Sequence, residues 1–230
     1  MSVASERRTT GGELCTALVF GVLGVGLAGW APRVPDVKSQ LGLSDAALGG
    51  ALLAVAAGSM LFMPVTGGLI ARFGCRPVLL GSSVSFSLAL VLPALAVGLT
   101  SLVLALAVLG AALGALDVSA NAQAAALERA SGRQIMGKCH GTYSIGAIVG
   151  AVAGGVAAQT GMPVLPHLLI LGLILAVASL LLLPSIPADD PVRTGDSADE
   201  PRPGTLVLPS AAVWGLGAVG FCALMAEGAM

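Results

Sequence analysis

Uncharged apolar runs of about 20 residues recur along the chain, the length an α-helix needs to cross ~30 Å of hydrocarbon. The first covers residues 14–30, behind Arg7 and Arg8. The second covers residues 46–70, with Ser44 and Asp45 placed to cap its first turn. The third (77–99) and fourth (102–127) meet at Thr100 and Ser101, and Glu128 and Arg129 close the fourth. The fifth (141–158) and sixth (163–183) are joined by the tight, uncharged link Thr160-Gly161-Met162-Pro163. Five further runs argue against reading residues 14–30 as a cleaved export signal.

Residues 186–205 change character, being rich in proline and carrying Asp189, Asp190, Asp196, Asp199 and Glu200 with Arg193 and Arg202. That composition predicts a solvated linker. A seventh apolar run opens near Leu206 and is still running at Met230. The pattern predicts an all-α membrane protein with an amino terminus over 1–13, a six-helix transmembrane bundle over 14–185, a linker over 186–205 and the start of a seventh helix over 206–230. Taken alternately, one set of connections holds Arg7, Arg8, Arg72, Arg76, Arg129, Arg133, Lys138, Arg193 and Arg202, and the other only Arg33 and Lys38. Basic residues favour the cytoplasmic side, so the amino terminus and the linker are both expected there, in a cell (inner or plasma) membrane. One bundle, a cytoplasmic linker and a new span is the organisation of two bundles in tandem. The remainder of the second is expected from a missing carboxy-terminal half or from a partner half.

Composition agrees that lipid is the solvent. Of 230 residues, 56% are hydrophobic and 10% charged, and the mean hydropathy of +0.95 lies outside the range of a soluble domain. The 32 glycines fit helices packed closely in lipid, where small residues let backbones approach. A net charge of −1 offers no attraction to nucleic acid. Cys15 and Cys222 fall in apolar runs, and Cys75 and Cys139 in short basic connections, none with metal-ligand spacing; no disulfide, metal or cofactor is expected. No nucleophile-base pair or phosphate loop is evident, so the chain does not read as an enzyme.

Asp117 is the residue to explain, because a carboxylate in mid-span is costly unless it faces a bundle interior or water. At about 100° per residue, Gly110, Gly114, Asp117 and Asn121 share a face about 60° wide, whereas Gln123 lies about 120° away. Packing alone could hold Asp117 between helices; the sharper reading is a proton-binding carboxylate, since desolvation favours the neutral form and rewetting the charged one. Glu227 is the other acid in an apolar run, ~30 Å along the axis of a span that begins at Leu206, and is either interfacial or in contact with substrate or an ion. His140 and Tyr143 open the fifth run near the surface, where an interfacial role is the default, and Tyr143 joins Asn121 and Glu227 as a candidate cavity residue. His167, at the outer end of the sixth run, has the same default. Trp30 and Arg33 read as an interfacial anchor, with a gate as the alternative. Gly146, Gly150 and Gly154, spaced by four, can seat another helix closely, as can Gly110 and Gly114. Between the second and third runs, Gly67-Gly68-Leu69-Ile70-Ala71-Arg72-Phe73-Gly74-Cys75-Arg76 combines a helix-ending glycine with a topology signal.

That last stretch resembles the signature loop of the major facilitator superfamily, matching at Gly67, Arg72, Gly74 and Arg76 and departing at Ala71 and Cys75, where the pattern has an acid and a base. The stretch Gly114-Ala115-Leu116-Asp117-Val118-Ser119-Ala120-Asn121 is similar to the acid-xxx-Asn element of the fucose-permease branch, whose acid is implicated in proton coupling. With His140-Gly141-Thr142-Tyr143-Ser144-Ile145-Gly146 and the closing Glu227-Gly228-Ala229-Met230, the chain is most similar to uncharacterised sugar-permease-like members. Gly137, Gly146, Gly150, Ala151, Gly154 and Gly155 also resemble a fifth-span element of drug and proton antiporters, with Ala151 where proline is expected. The resemblance implies the amino-terminal half of a twelve-helix fold working by alternating access around a central cavity, with a conformational role for the loop residues. Its expected partners are the bilayer, protons and a small solute such as a sugar or related metabolite. Export of an amphipathic compound, or a non-transporting bundle acting as a sensor or assembly partner, is the alternative.

Overall fold

A computed structural model describes residues 3–182 and Ile186. The rest of the linker, the seventh run and Glu227 lie outside the described residues. Those described belong to one compact unit, Met1–Val192, and are helices joined by short turns, with no strand among them. Helix α1 spans Val3–Trp30, and after a 3-10 turn at Ala31–Arg33 comes α2, Val34–Leu41. Then follow α3 (Asp45–Phe73), α4 (Cys75–Ala89), a second 3-10 turn (Leu92–Leu95), α5 (Leu99–Ser131), α6 (Met136–Gln159) and α7 (Val164–Leu182). Among the described residues six stretches are long and apolar enough to cross a membrane; the first is Gly11–Leu41, in which α1, the 3-10 turn and α2 form one span.

The boundaries shift from the expected ones for local reasons. The first span continues past Trp30 because Pro32 and Pro35 enter helical turns at positions that need no N–H donor, and Gly42, at φ 60°, ends it. Ser44 caps α3 by accepting from the Ala47 amide at 3.2 Å, while Asp45 lies inside the first turn and pairs with Lys38 instead. The third span leaves α-helical geometry after Ala89 and closes through the 3-10 turn, with Pro93 buried. Ser101 orders the entry to α5 from inside the helix, where its hydroxyl meets the Gly98 amide at 3.1 Å and the Val97 amide at 3.0 Å. Helix α6 begins at Met136 rather than 141, because Glu128 accepts from the Ile135 and Met136 amides at 2.7 and 2.8 Å. Free amides of a first turn need such an acceptor. Cys75 and Cys139, expected in connections, are instead buried in the first turns of α4 and α6.

Two glycine seams hold the bundle together. The most extensive pairs are α1 with α6 and α3 with α5. Gly146, Gly150 and Gly154 of α6 lie against the carbonyls of Gly21, Val25 and Gly29 of α1, so close that a Cβ at Gly150 would stand 2.3 Å from the Val25 oxygen. On the other seam Gly110 and Gly114 of α5 abut Val55 and Ser59, and Gly58 of α3 abuts Ala107. In lipid such contact supplies the van der Waals attraction that the hydrophobic effect does not. The first span pairs with the fifth as the fourth pairs with the second, the relation expected when two three-helix halves exchange places. Helix α4 packs on α5 and α7, and the hydroxyls of Ser83 and Ser179 meet at 2.6 Å between α4 and α7. The flanking helices α3 and α6 keep open apolar faces, with Leu53, Met60 and Leu61 exposed on one and Ile145, Ile148 and Val152 on the other.

Candidate functional site

Asp117 is carried by α5, whose 33 residues reach roughly 50 Å, well beyond the hydrocarbon. Gly132, left-handed at φ 67°, ends the helix. The Asp117 carboxylate is half-buried, not sealed, and Asn121 one turn later donates from Nδ2 to its Oδ1 at 3.1 Å and to its backbone oxygen at 2.9 Å. His140 of α6 is near enough to interact with Asp117 electrostatically, and the His140 ring meets Phe20 of α1 edge-on, with centroids 5.4 Å apart. The fold thus brings Asp117, Asn121 and His140 together from two helices. His140 lies a full turn inside α6 and does not open it. Tyr143 is half-buried and packs on the apolar core; its backbone oxygen faces Gly24 of α1, so it belongs to the seam between α1 and α6.

Polar groups at the two ends of the first span were not legible as sites. Glu13, expected in a terminal segment, is inside α1 and only 6% exposed. Its carboxylate stands 3.7 Å from Nη1 of Arg133 and 3.9 Å from Nζ of Lys138, so the connection between α5 and α6 and the first turn of α6 supply the charge a buried acid requires. Counting Glu13 into the helical run would have exposed it. At the other end, the anchor reading of Trp30 and Arg33 is overturned. Trp30 is 5% exposed and Arg33 2% exposed, both inside the bundle, because the span continues beyond them through α2. The Arg33 guanidinium donates from Nη2 to the Met162 carbonyl at 2.6 Å and pairs through Nε with Asp36 at 2.9 Å. His167 is likewise buried rather than interfacial and interacts electrostatically with Arg33. No group of acids, histidines and cysteines with metal-binding geometry occurs among the described residues.

The sequence signature of the Major Facilitator Superfamily matches residues 14–230. The chain belongs to the major facilitator superfamily. It is 41% identical over 219 residues to an uncharacterized major-facilitator-type transporter of Yersinia pestis, covering 95% of this chain and 55% of that protein. It is 39% identical over 140 residues to the membrane protein MosC of Rhizobium meliloti, covering 61% and 34%. To an uncharacterized transporter of Sinorhizobium fredii it is 30% identical over 211 residues, covering 91% and 54%. The chain spans about half the length of the first and third of these relatives. The superfamily is one of transporters, not enzymes.

Within that family frame, the loop between the second and third spans has a definite geometry. Gly74 takes φ 83° and ψ 163°, a conformation essentially confined to glycine. Arg72 stands exposed over the Phe73 ring, 5.2 Å from its centroid. Cys75, where the superfamily pattern has a base, donates from Sγ to the Ser119 carbonyl at 3.2 Å, and a charge could not take that buried place. Gly67 lies in open space among the described residues, and Arg76 is half-buried at the start of α4.

Proposed function

We propose that this chain supplies the amino-terminal half of a secondary active transporter that couples protons to the movement of a small polar solute, a sugar or related metabolite, by alternating access. The observation that carries the reading is Asp117, half-buried in mid-helix with Asn121 bonded to it. A carboxylate in this place is expensive unless water or substrate reaches it, and access without full solvation is what a proton site needs. In this reading Asp117 takes and releases the proton, and Asn121 orients it and offers a hydrogen bond to solute. Tyr143 and Glu227 complete the candidate cavity set. The loop residues Gly67, Arg72, Gly74 and Arg76 hinge the second and third spans during the conformational cycle. The similarity of residues 114–121 to the fucose-permease branch supports the solute class. The excess of Lys and Arg on one set of connections supports a cytoplasmic amino terminus.

The test is transport by the full-length gene product with Asp117→Asn. Proton-driven uptake should be lost while solute exchange without net proton movement survives. Intact proton coupling in that variant would remove Asp117 from the mechanism.

A further inference from the structure

On the side of α5 opposite Asp117, a groove of about 720 Å³ opens between α3 and α4. Phe62 and Phe73 of α3, Val78 of α4, and Val108, Ala112 and Ala115 of α5 give it an almost wholly apolar lining. We propose that this groove holds an acyl chain of an anionic phospholipid whose phosphate is received at Arg72 and the first turn of α4. This assignment depends on family membership but not on the proton-transport reading.

Three observations select a lipid. At about 100° per residue, Val108, Ala112 and Ala115 lie roughly 140–180° from Asp117 around α5, so the groove opens away from the face proposed to line the solute path. The stretch of α3 from Phe62 to Phe73 covers roughly 16 Å, about half of the ~30 Å hydrocarbon, so the groove has the depth of one leaflet. Its volume also falls in the range of sites that enclose a small molecule.

Charge complementarity selects the headgroup. Phe73 lines the groove and carries the exposed Arg72 guanidinium over its ring, which fixes a positive charge at the rim. Pro77 and Val78, in the first turns of α4, line the same end, and that helix has no side-chain cap on its amino terminus. The carboxy end of α3 and the amino end of α4 meet at Gly74 and offset each other's field, so the attraction for a phosphate comes from Arg72 with the uncapped first-turn amides of α4 as donors, as basic pockets at a membrane surface bind anionic headgroups. No acidic residue lines the groove.

Native mass spectrometry of the full-length product, exposed to phosphatidylglycerol or phosphatidylcholine with matched chains, tests the assignment. Phosphatidylglycerol should be retained at least several-fold more. Arg72→Gln, an exposed change that leaves the fold intact, should abolish that preference without reducing phosphatidylcholine, and Ala112→Phe, which fills the groove, should lower retention of both. Equal retention of the two lipids, or phosphatidylglycerol binding unaffected by both variants, would overturn the proposal. A photo-reactive residue placed at Val78 should capture lipid; capture of the carboxy-terminal half instead would assign the groove to the second bundle and refute it.

Discussion

Arg33 and Asp117 are both ionisable residues set in apolar sequence, yet the fold treats them in opposite ways. Arg33 is enclosed in the first span, where a carbonyl from the turn between α6 and α7 accepts from its Nη2 at 2.6 Å and the Asp36 carboxylate, three residues on, forms an ion pair with it. Asp117 stands half-open on α5 and is met mainly by its own helix, through Asn121. A charge whose hydrogen bond comes from a distant turn is part of the scaffold; one hydrogen-bonded by its own helix, with His140 of α6 acting on it only electrostatically, is the candidate for chemistry. The difference lies in the origin of the partners, and burial follows from it.

The contrast is broken most forcefully at Arg33. Arg33→Ala leaves the Met162 carbonyl without its donor and the partly exposed Asp36 without its cation, and loss of a hydrogen bond from a charged donor costs about 1.5–3 kcal/mol. Thermal unfolding in detergent should show a clear fall in midpoint, with Arg33→Lys recovering only part because a compact, strongly hydrated ammonium does not replace the planar guanidinium in that buried place. A midpoint unchanged in Arg33→Ala would mean that the enclosure is incidental.

The sealed side can also be opened from its backbone. Gly154, whose Cβ position lies 3.1 Å from the Pro32 ring, and Gly150 hold α6 against α1 beside Arg33. Gly150→Ala should cost about 1–3 kcal/mol through overpacking. Gly155→Ala, one residue beyond Gly154 and in open space, should be neutral or slightly stabilising, as alanine in a helix interior is favoured by roughly 0.5–1 kcal/mol. Equal losses in both variants would show that helix propensity, not contact, governs the seam.

The fold was legible in sequence because crossing hydrocarbon demands uninterrupted apolar length, a constraint local to each run. Asp117 was visible for the same reason, since a mid-run acid interrupts the pattern. Arg33 and Glu13 were not, because at the end of an apolar run a side chain that snorkels to the interface and one that turns inward have the same local sequence. What decides Arg33 is the Met162 carbonyl, 129 residues away, and what decides Glu13 is a pair of cations across the bundle. The start of α6 was hidden likewise, because its cap comes from Glu128 at the end of α5.

The smallest expected effect is the most discriminating. Asp117→Asn preserves side-chain shape, and the backbone oxygen of residue 117 still accepts from Asn121 at 2.9 Å, so the helix keeps its local bond. Asp117 forms no ion pair with another helix among the described residues and His140 acts on it only electrostatically, so the change in stability should stay within about 1 kcal/mol, the size of one hydrogen bond. The unfolding midpoint should therefore stay near that of the parent while proton coupling disappears. A fall comparable to that of Arg33→Ala would place Asp117 with the scaffold and leave the polar stripe of α5 without a role in transport. A silent midpoint with lost coupling separates chemistry from architecture at that one position, which no reading of burial alone can do.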